Sequence, residues 1–347
     1  MLPSWNSSNV NVFMDISTYC NAGCPQCHRT NPNGLGKADW LPLVQWSIDQ
    51  FKTAFPLKTM QRINCFYFCG TFGDPIMVKD FIEITEYIIE NSNAFISVDT
   101  NGSIRDEDFW WNLSIVGGRR LTVRFAVDGI NQEMHQHYRR FTNLSKVLNH
   151  MKVAAQTKCN VSVQTVLFKH NEDYKDEIRN LCKEYGATRH TFVNSDRFSD
   201  GEYITEHTDE NGKEFILEKA GSNNIRPKTK LTSNIEYDIK CAWAKPRNEV
   251  VISFDGQVLP CCYHQNNYTM KKNKFIEKSP IYKEYEDNKL EYNVFHTPLH
   301  NIIDSKWWSK SLVDSITNDP IETCIRNCNN KKGELLGKAL AMKREHL

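Results

Sequence analysis

No run of apolar residues in this 347-residue chain approaches the length of a membrane span, and the opening MLPSWNSSNV has neither the basic start nor the apolar stretch of a secretory signal. These absences lead to the expectation of a soluble, cytoplasmic protein with no membrane partner. Charge of one sign is lacking too: 43 Lys plus Arg oppose 42 Asp plus Glu, leaving a net charge of +1. That balance disfavours a nucleic-acid or anionic-membrane surface. No internal repeat occurs at solenoid periods, which sets aside a repeat architecture.

Cysteine is what the chain has in excess, with twelve copies. A reduced intracellular protein has little use for so many thiols, so metal binding is the leading explanation. Cys20, Cys24 and Cys27 form one knot, while Cys241, Cys261, Cys262, Cys324 and Cys328 form a looser second set. Cys159 and Cys182 read as small buried hydrophobes.

From residue 11 to about 193, short apolar runs alternate with amphipathic stretches, the pattern of a parallel sheet built from strand–helix units. The strand candidates are Asn11–Ser17, Arg62–Cys69, Ala94–Asp99, Leu121–Val127, Val161–Phe168 and Thr188–Val193. Between them lie helix-period segments such as Val78–Glu90, with apolar residues at three- and four-residue spacing. Periodicity alone leaves two α/β architectures open, a doubly wound sheet and an incomplete barrel, and both bind ligands at strand C-terminal ends. The expected organisation is a core over 1–195, a polar linker or inserted loop over 196–240, a second domain over 241–330 and a terminal helix in 331–347, centred on Glu334–Glu345. In the second domain, Glu249–Phe254 and Gln257–Leu259 flank Asp255-Gly256, a dipeptide that favours a tight hairpin turn.

The first knot has the spacing C-x3-C-x2-C, directly after the first strand candidate. Three close thiolates without a fourth nearby cysteine suit a cubane iron–sulfur cluster with one iron left open, whereas structural zinc normally takes four protein ligands. This loop resembles the cluster-binding motif of radical S-adenosylmethionine (SAM) enzymes, and further motifs match in order. Gly70-Thr71-Phe72-Gly73-Asp74-Pro75 looks like that family's Gly-Gly-Glu-Pro segment, Thr100-Asn101-Gly102 its Thr-Asn-Gly turn, and Ala126-Val127-Asp128-Gly129 its Ser-Ile-Asp-Gly. Gln26 stands where the family often has an aromatic residue beside the adenine, and Ala126 where a serine helps bind the ribose.

The resemblance implies a partial (β/α)6 TIM-type barrel with a [4Fe-4S] cluster on Cys20, Cys24 and Cys27. By the same resemblance Gly73, Asp74, Thr100 and Asn101 hold SAM, with Gln164 or Thr165 on the fifth strand as substitutes for the ribose contact. Asp128 is the candidate polar residue for catalysis, while His135, His137, Arg139 and Arg140 read as a solvated basic helix start.

In the second set, Cys241, Gly256 and Cys261 follow C-x14-G-x4-C, and Cys324 and Cys328 follow C-x3-C. The hairpin would bring Cys241 and Cys261 together and the remote pair would complete four thiolates. This looks like the small α+β twitch domain, the short form of the SPASM domain, and the four-residue spacing favours Cys261 over Cys262. The resemblance therefore implies two [4Fe-4S] clusters, SAM, an electron donor such as flavodoxin or ferredoxin, and oxidation or crosslinking of a peptide or small molecule. A zinc-binding interaction scaffold built on the same cysteines is the competing expectation.

Overall fold

The computed structural model describes residues 4–31, 34–195, 197–198, 201–209, 211–221, 237–270 and 279–329. Two compact units emerge: a barrel unit of Met14–Ile48 and Phe66–Lys230, and a C-terminal unit of Met1–Phe13, Asp49–Cys65 and Leu231–Leu347. The boundaries thus differ from a cut near residue 195, because two segments from the first 65 residues belong with the C-terminal part. The expected terminal helix over 331–347 lies outside the described residues.

Six strands follow in chain order, β1 (Val10–Met14), β2 (Ile63–Phe68), β3 (Phe95–Thr100), β4 (Leu121–Ala126), β5 (Asn160–Leu167) and β6 (Arg189–Asn194); β3 to β6 lie wholly in the barrel unit, and the ends of β1 and β2 run into it at Met14 and Phe66. They are hydrogen-bonded in chain order, and β3–β4, β4–β5 and β5–β6 pair parallel. A doubly wound sheet reverses its strand order at a switch point. Unbroken chain order therefore selects the incomplete barrel.

Side-chain alternation explains both faces. On β4, Leu121, Val123 and Phe125 are fully buried against the helices, while Thr122, Arg124 and Ala126 are half-buried on the opposite, inner face. The helix Phe81–Asn91 packs Phe81, Ile84 and Ile88 with no exposure, each contributing about 1.5–3 kcal/mol by burial. It begins three residues later than the apolar spacing predicts, because Pro75–Met77 forms a 3-10 turn and Val78 is extended. Caps set the other helix starts: Asp106, Asn131 and Asn143 accept from the backbone N–H of Phe109, Met134 and Lys146.

Within the stretch expected to be a linker, β7 (Ile204–Thr208) and β8 (Glu214–Glu218) form an antiparallel hairpin. Asp209 Oδ1 accepts from Asn211 N and Lys213 N, and Gly212 supplies the positive φ of the turn. The hairpin escapes sequence reading because only Leu217 among its strand residues is fully buried, leaving little apolar alternation to detect.

In the C-terminal unit, β9 (Glu249–Ile252) and β10 (Val258–Leu259) pair antiparallel across the Asp255-Gly256 turn, as the dipeptide predicts. Gly256 has φ +85°, and a Cβ there would meet Asn293 Oδ1 at 2.6 Å. Helices Cys262–Met270, Pro280–Asp287 and Glu322–Cys328 follow. Among the described residues no helix is long and apolar enough to cross a membrane.

Candidate active site

The three-cysteine loop is held at both shoulders. Thr18 Oγ1 donates to Pro42 O at 2.6 Å, and Arg29 Nε donates to Thr18 O at 2.9 Å. Cys20 Sγ accepts from Ala22 N at 3.4 Å and from Asn101 Nδ2 at 3.7 Å; Cys24 Sγ accepts from Arg139 Nη1 at 3.9 Å. Burial raises the Cys20 thiol and pushes Cys24 up to about 11, with Arg139 opposing the shift at Cys24. Bare thiolates are thus costly here, and a cationic centre would offset that cost. Ala22, Cys24, Tyr138, Phe168 and Leu217 pack together, with Cys20 and Cys27 against them, so the thiols face an apolar wall.

Asp74 organises the loop after β2. Its Oδ1 accepts from Ile76 N at 3.1 Å; its Oδ2 accepts from Thr100 Oγ1 at 3.0 Å, Asn101 N at 2.8 Å and Asn101 Nδ2 at 2.7 Å. Burial lifts the carboxyl to about 6 against these four donors. Asn101 Nδ2 also donates to Asn21 Oδ1 at 2.8 Å, so Asp74, Thr100 and Asn101 form one network with the cysteine loop. Gly73 sits differently from the expectation of ligand approach: a Cβ there would lie 2.3 Å from Ser17 O. Its missing side chain lets the backbone of the cysteine loop pass.

Asp128 is fully buried and spent on protein donors, so as placed it does not face a substrate. Its Oδ1 accepts from Val166 N at 2.7 Å and its Oδ2 from Arg139 Nε at 2.5 Å. Arg139 is the functional candidate that sequence reading passed over as a solvated helix start. His135 is likewise buried, pushed down to about 3 by desolvation and Arg139, and bonds Thr142 through Nε2. Nothing in a linear sequence signals that a helix end will fold back onto Cys24.

Thr165 and Gln164 separate by strand alternation. Thr165 has no exposure and bonds Val127 O at 2.5 Å and His190 Nε2 at 2.8 Å, which removes it from the reach of a ribose. Gln164 pairs with Ala126 in the register, on the inner face. Two residues back on β4, Arg124 bonds Asp99 and the Tyr67 hydroxyl, and Tyr67 donates to Asp99. This inner-face trio was also absent from the sequence expectation. Gln26 does structural service: it accepts from Ser195 Oγ at 2.7 Å and donates to Thr205 Oγ1 at 3.2 Å.

In the C-terminal unit the second cysteine set is brought together. Burial raises Cys261, which is also electrostatically coupled to Cys262, Cys241 and Cys324; Cys324 is raised by burial and coupled to Cys328 and Cys241. Backbone N–H groups of Trp243 and Ala244 point at Cys241, and those of Ala242 and His264 at Cys328 and Cys261. The remote pair arrives because Lys240 N donates to Cys328 O at 2.9 Å and Ile239 bridges Asn329. Among the described residues no three His, Cys, Asp or Glu side chains converge closely enough to hold a single metal ion.

No protein-family model matches the chain. Among curated proteins, the probable GTP 3',8-cyclase of Methanocaldococcus jannaschii is 23% identical over 274 residues, 73% of this chain and 85% of its own length. The cysteine-type anaerobic sulfatase-maturating enzyme of Clostridium novyi is 28% identical over 132 residues, 35% of this chain and 34% of its own. Among solved structures, Streptococcus suis SuiB has a TM-score of 0.55 at 11% identity, covering 91% of this chain and 69% of that one. The structure of anSMEcpe with bound AdoMet has a TM-score of 0.54 at 14% identity, covering 92% and 89%. At such identities the structural likeness speaks for the fold alone. These relatives are radical SAM enzymes. The cysteine loop and the Asp74, Asn101 and Asp128 motifs stand in order at the ends of β1, β2, β3 and β4, and in this the chain is similar to radical S-adenosylmethionine enzymes.

Proposed function

We propose that the protein oxidises or crosslinks a substrate by radical SAM chemistry, with a catalytic [4Fe-4S] cluster on Cys20, Cys24 and Cys27 and an auxiliary one on Cys241, Cys261, Cys324 and Cys328. The observation that carries this reading is the set of N–H donors, from Ala22, Asn101 and Arg139, aimed at Cys20 and Cys24 sulfurs inside an apolar wall. Hydrogen bonds to sulfur and exclusion of water are the protein's levers on an iron–sulfur centre. Cys20, Cys24 and Cys27 would hold the first cluster and Cys241, Cys261, Cys324 and Cys328 the second; with SAM the first would supply radical chemistry toward an unactivated carbon, and the second would supply one-electron transfer.

The chain's own contribution is positioning. Asp74 orients Asn101 and Thr100 next to the cysteine loop, where Asn101 serves the SAM side of the site. Asp128 holds Arg139 against Cys24, and Gln164 with the Tyr67–Asp99–Arg124 trio supplies polar groups on the inner sheet face for substrate. A peptide substrate is supported by the neighbour SuiB, which has been solved bound to its precursor peptide SuiA. Reducing equivalents would come from a flavodoxin or ferredoxin.

The test is anaerobic reconstitution with iron and sulfide, addition of SAM and dithionite, and quantification of 5'-deoxyadenosine beside a Cys24→Ala control. Formation in the wild type alone is the expected result. A protein that binds zinc instead of iron, or binds iron and forms no 5'-deoxyadenosine, overturns the reading.

A further inference from the structure

His264 lies in the first turn of the helix Cys262–Met270, three residues after Cys261, and is 2% exposed. Its Nε2 stands 3.4 Å from Cys324 Sγ, and its Nδ1 is hydrogen-bonded to the hydroxyl of the fully buried Tyr282. Tyr282 is wedged among Tyr268, Tyr285 and Trp307, with ring centroids 6.0, 5.6 and 5.9 Å away. A buried tyrosine, a buried imidazole and a thiol thus form a continuous hydrogen-bonded chain.

We propose that Tyr282 and His264 act as a positioning pair that donates a hydrogen bond to the sulfur of Cys324 and raises the reduction potential of the auxiliary cluster. The proposal rests on the auxiliary-cluster reading above. A thiolate bound to iron can only accept, so Nε2 must carry the proton facing Cys324. The neutral ring then offers Nδ1 as an acceptor, and the Tyr282 hydroxyl, itself a donor, locks that tautomer. A hydrogen bond to a cluster sulfur stabilises the more negative, reduced state, and the effect is strong where water is excluded. Cys241 and Cys261 receive backbone N–H groups of their own, whereas Cys324 is served by this side chain. The aromatic packing around Tyr282 keeps the ring from turning away.

The experiment uses the full chain carrying Cys20→Ala, Cys24→Ala and Cys27→Ala, reconstituted anaerobically, so that only the auxiliary cluster is read. Iron content and the midpoint potential from an EPR-monitored redox titration are compared for this parent and for added His264→Gln, His264→Phe or Tyr282→Phe. The expected result is unchanged iron content, a lower potential in His264→Phe and Tyr282→Phe, and a potential nearer the parent in His264→Gln, whose amide still donates. A potential unmoved in all three, with the cluster retained, overturns the proposal alone. Loss of iron in His264→Gln with retention in Tyr282→Phe also overturns it, by making His264 a ligand. A parent that binds no iron overturns the auxiliary-cluster reading itself.

Discussion

Arg139 is clamped by Asp128 at 2.5 Å through Nε while its Nη1 lies 3.9 Å from the sulfur of Cys24. One guanidinium therefore serves a fully buried carboxylate and a cysteine of the three-cysteine loop at once. Removing one member of a buried ion pair leaves the other uncompensated, at a cost of about 3–5 kcal/mol. Asp128→Ala is expected to lower stability by an amount of that order in denaturant unfolding. Arg139→Lys keeps the charge and loses the fork, so it should unfold with a smaller loss yet form 5'-deoxyadenosine more slowly.

Asp74 makes the site sensitive to pH. Its folded-state value of about 6 lies above the ordinary 3.8, so protonation favours the fold. That stabilising contribution is present below the ordinary value and lost as pH rises through about 6. Function runs the other way, because a protonated Asp74 cannot accept from all of Ile76, Thr100 and Asn101. The rate of 5'-deoxyadenosine formation should fall as pH drops through about 6 in the wild type. Asp74→Asn should be slower throughout and lack that inflection.

Cys261 and Cys262 are neighbours with different surroundings: Cys261 is buried and coupled to Cys241 and Cys324, whereas Cys262 is half-buried at the helix start. Cys262→Ala should keep the iron content of the wild type. Cys261→Ala should lose the share of iron that the proposed second cluster would hold, read by iron analysis and the visible spectrum.

Gln26 anchors the β7–β8 hairpin through Thr205 and accepts from Ser195 next to it. Gln26→Ala removes both bonds, each worth about 0.5–1.5 kcal/mol. Hydrogen exchange across Ile204–Glu218 should accelerate by a factor of about ten, with little change elsewhere.

Thr165→Val separates structure from ligand binding. Losing the hydroxyl leaves Val127 O and His190 short of a partner, so stability should drop by about 1–3 kcal/mol. The affinity for SAM, measured by calorimetry on the reconstituted protein, should not change.

Much of the barrel was legible in the sequence because its strands carry their own signal. The six candidates overlap β1 to β6, and the three cysteines and the Asp74, Asn101 and Asp128 motifs follow strand ends as their spacing predicts. What stayed hidden depends on register and long-range return. Arg124 meets Asp99 only because the β3–β4 register sets them opposite, and no local pattern encodes that pairing. Arg139 and His264 look like ordinary polar helix residues until tertiary packing buries them beside sulfur. Asp128 and Thr165 mislead in the reverse direction: polar residues near strand ends invite a ligand role, yet both are consumed by the protein's own hydrogen bonds.

The tie between Lys240 N and Cys328 O joins two residues that are made far apart during synthesis. The three-cysteine loop is complete in thiols once Cys27 has been made, but the donors that reach its sulfurs, Asn101 and Arg139, arrive later from the end of β3 and from the segment beyond β4. The second thiol set waits longer still, until Cys324 and Cys328 can fold back onto the strand-like segment before Cys241. A nascent chain halted between Cys261 and Cys324 would expose two or three reactive thiols with no means of closing their site. Closure of this second thiol site therefore cannot precede synthesis of Cys324 and Cys328.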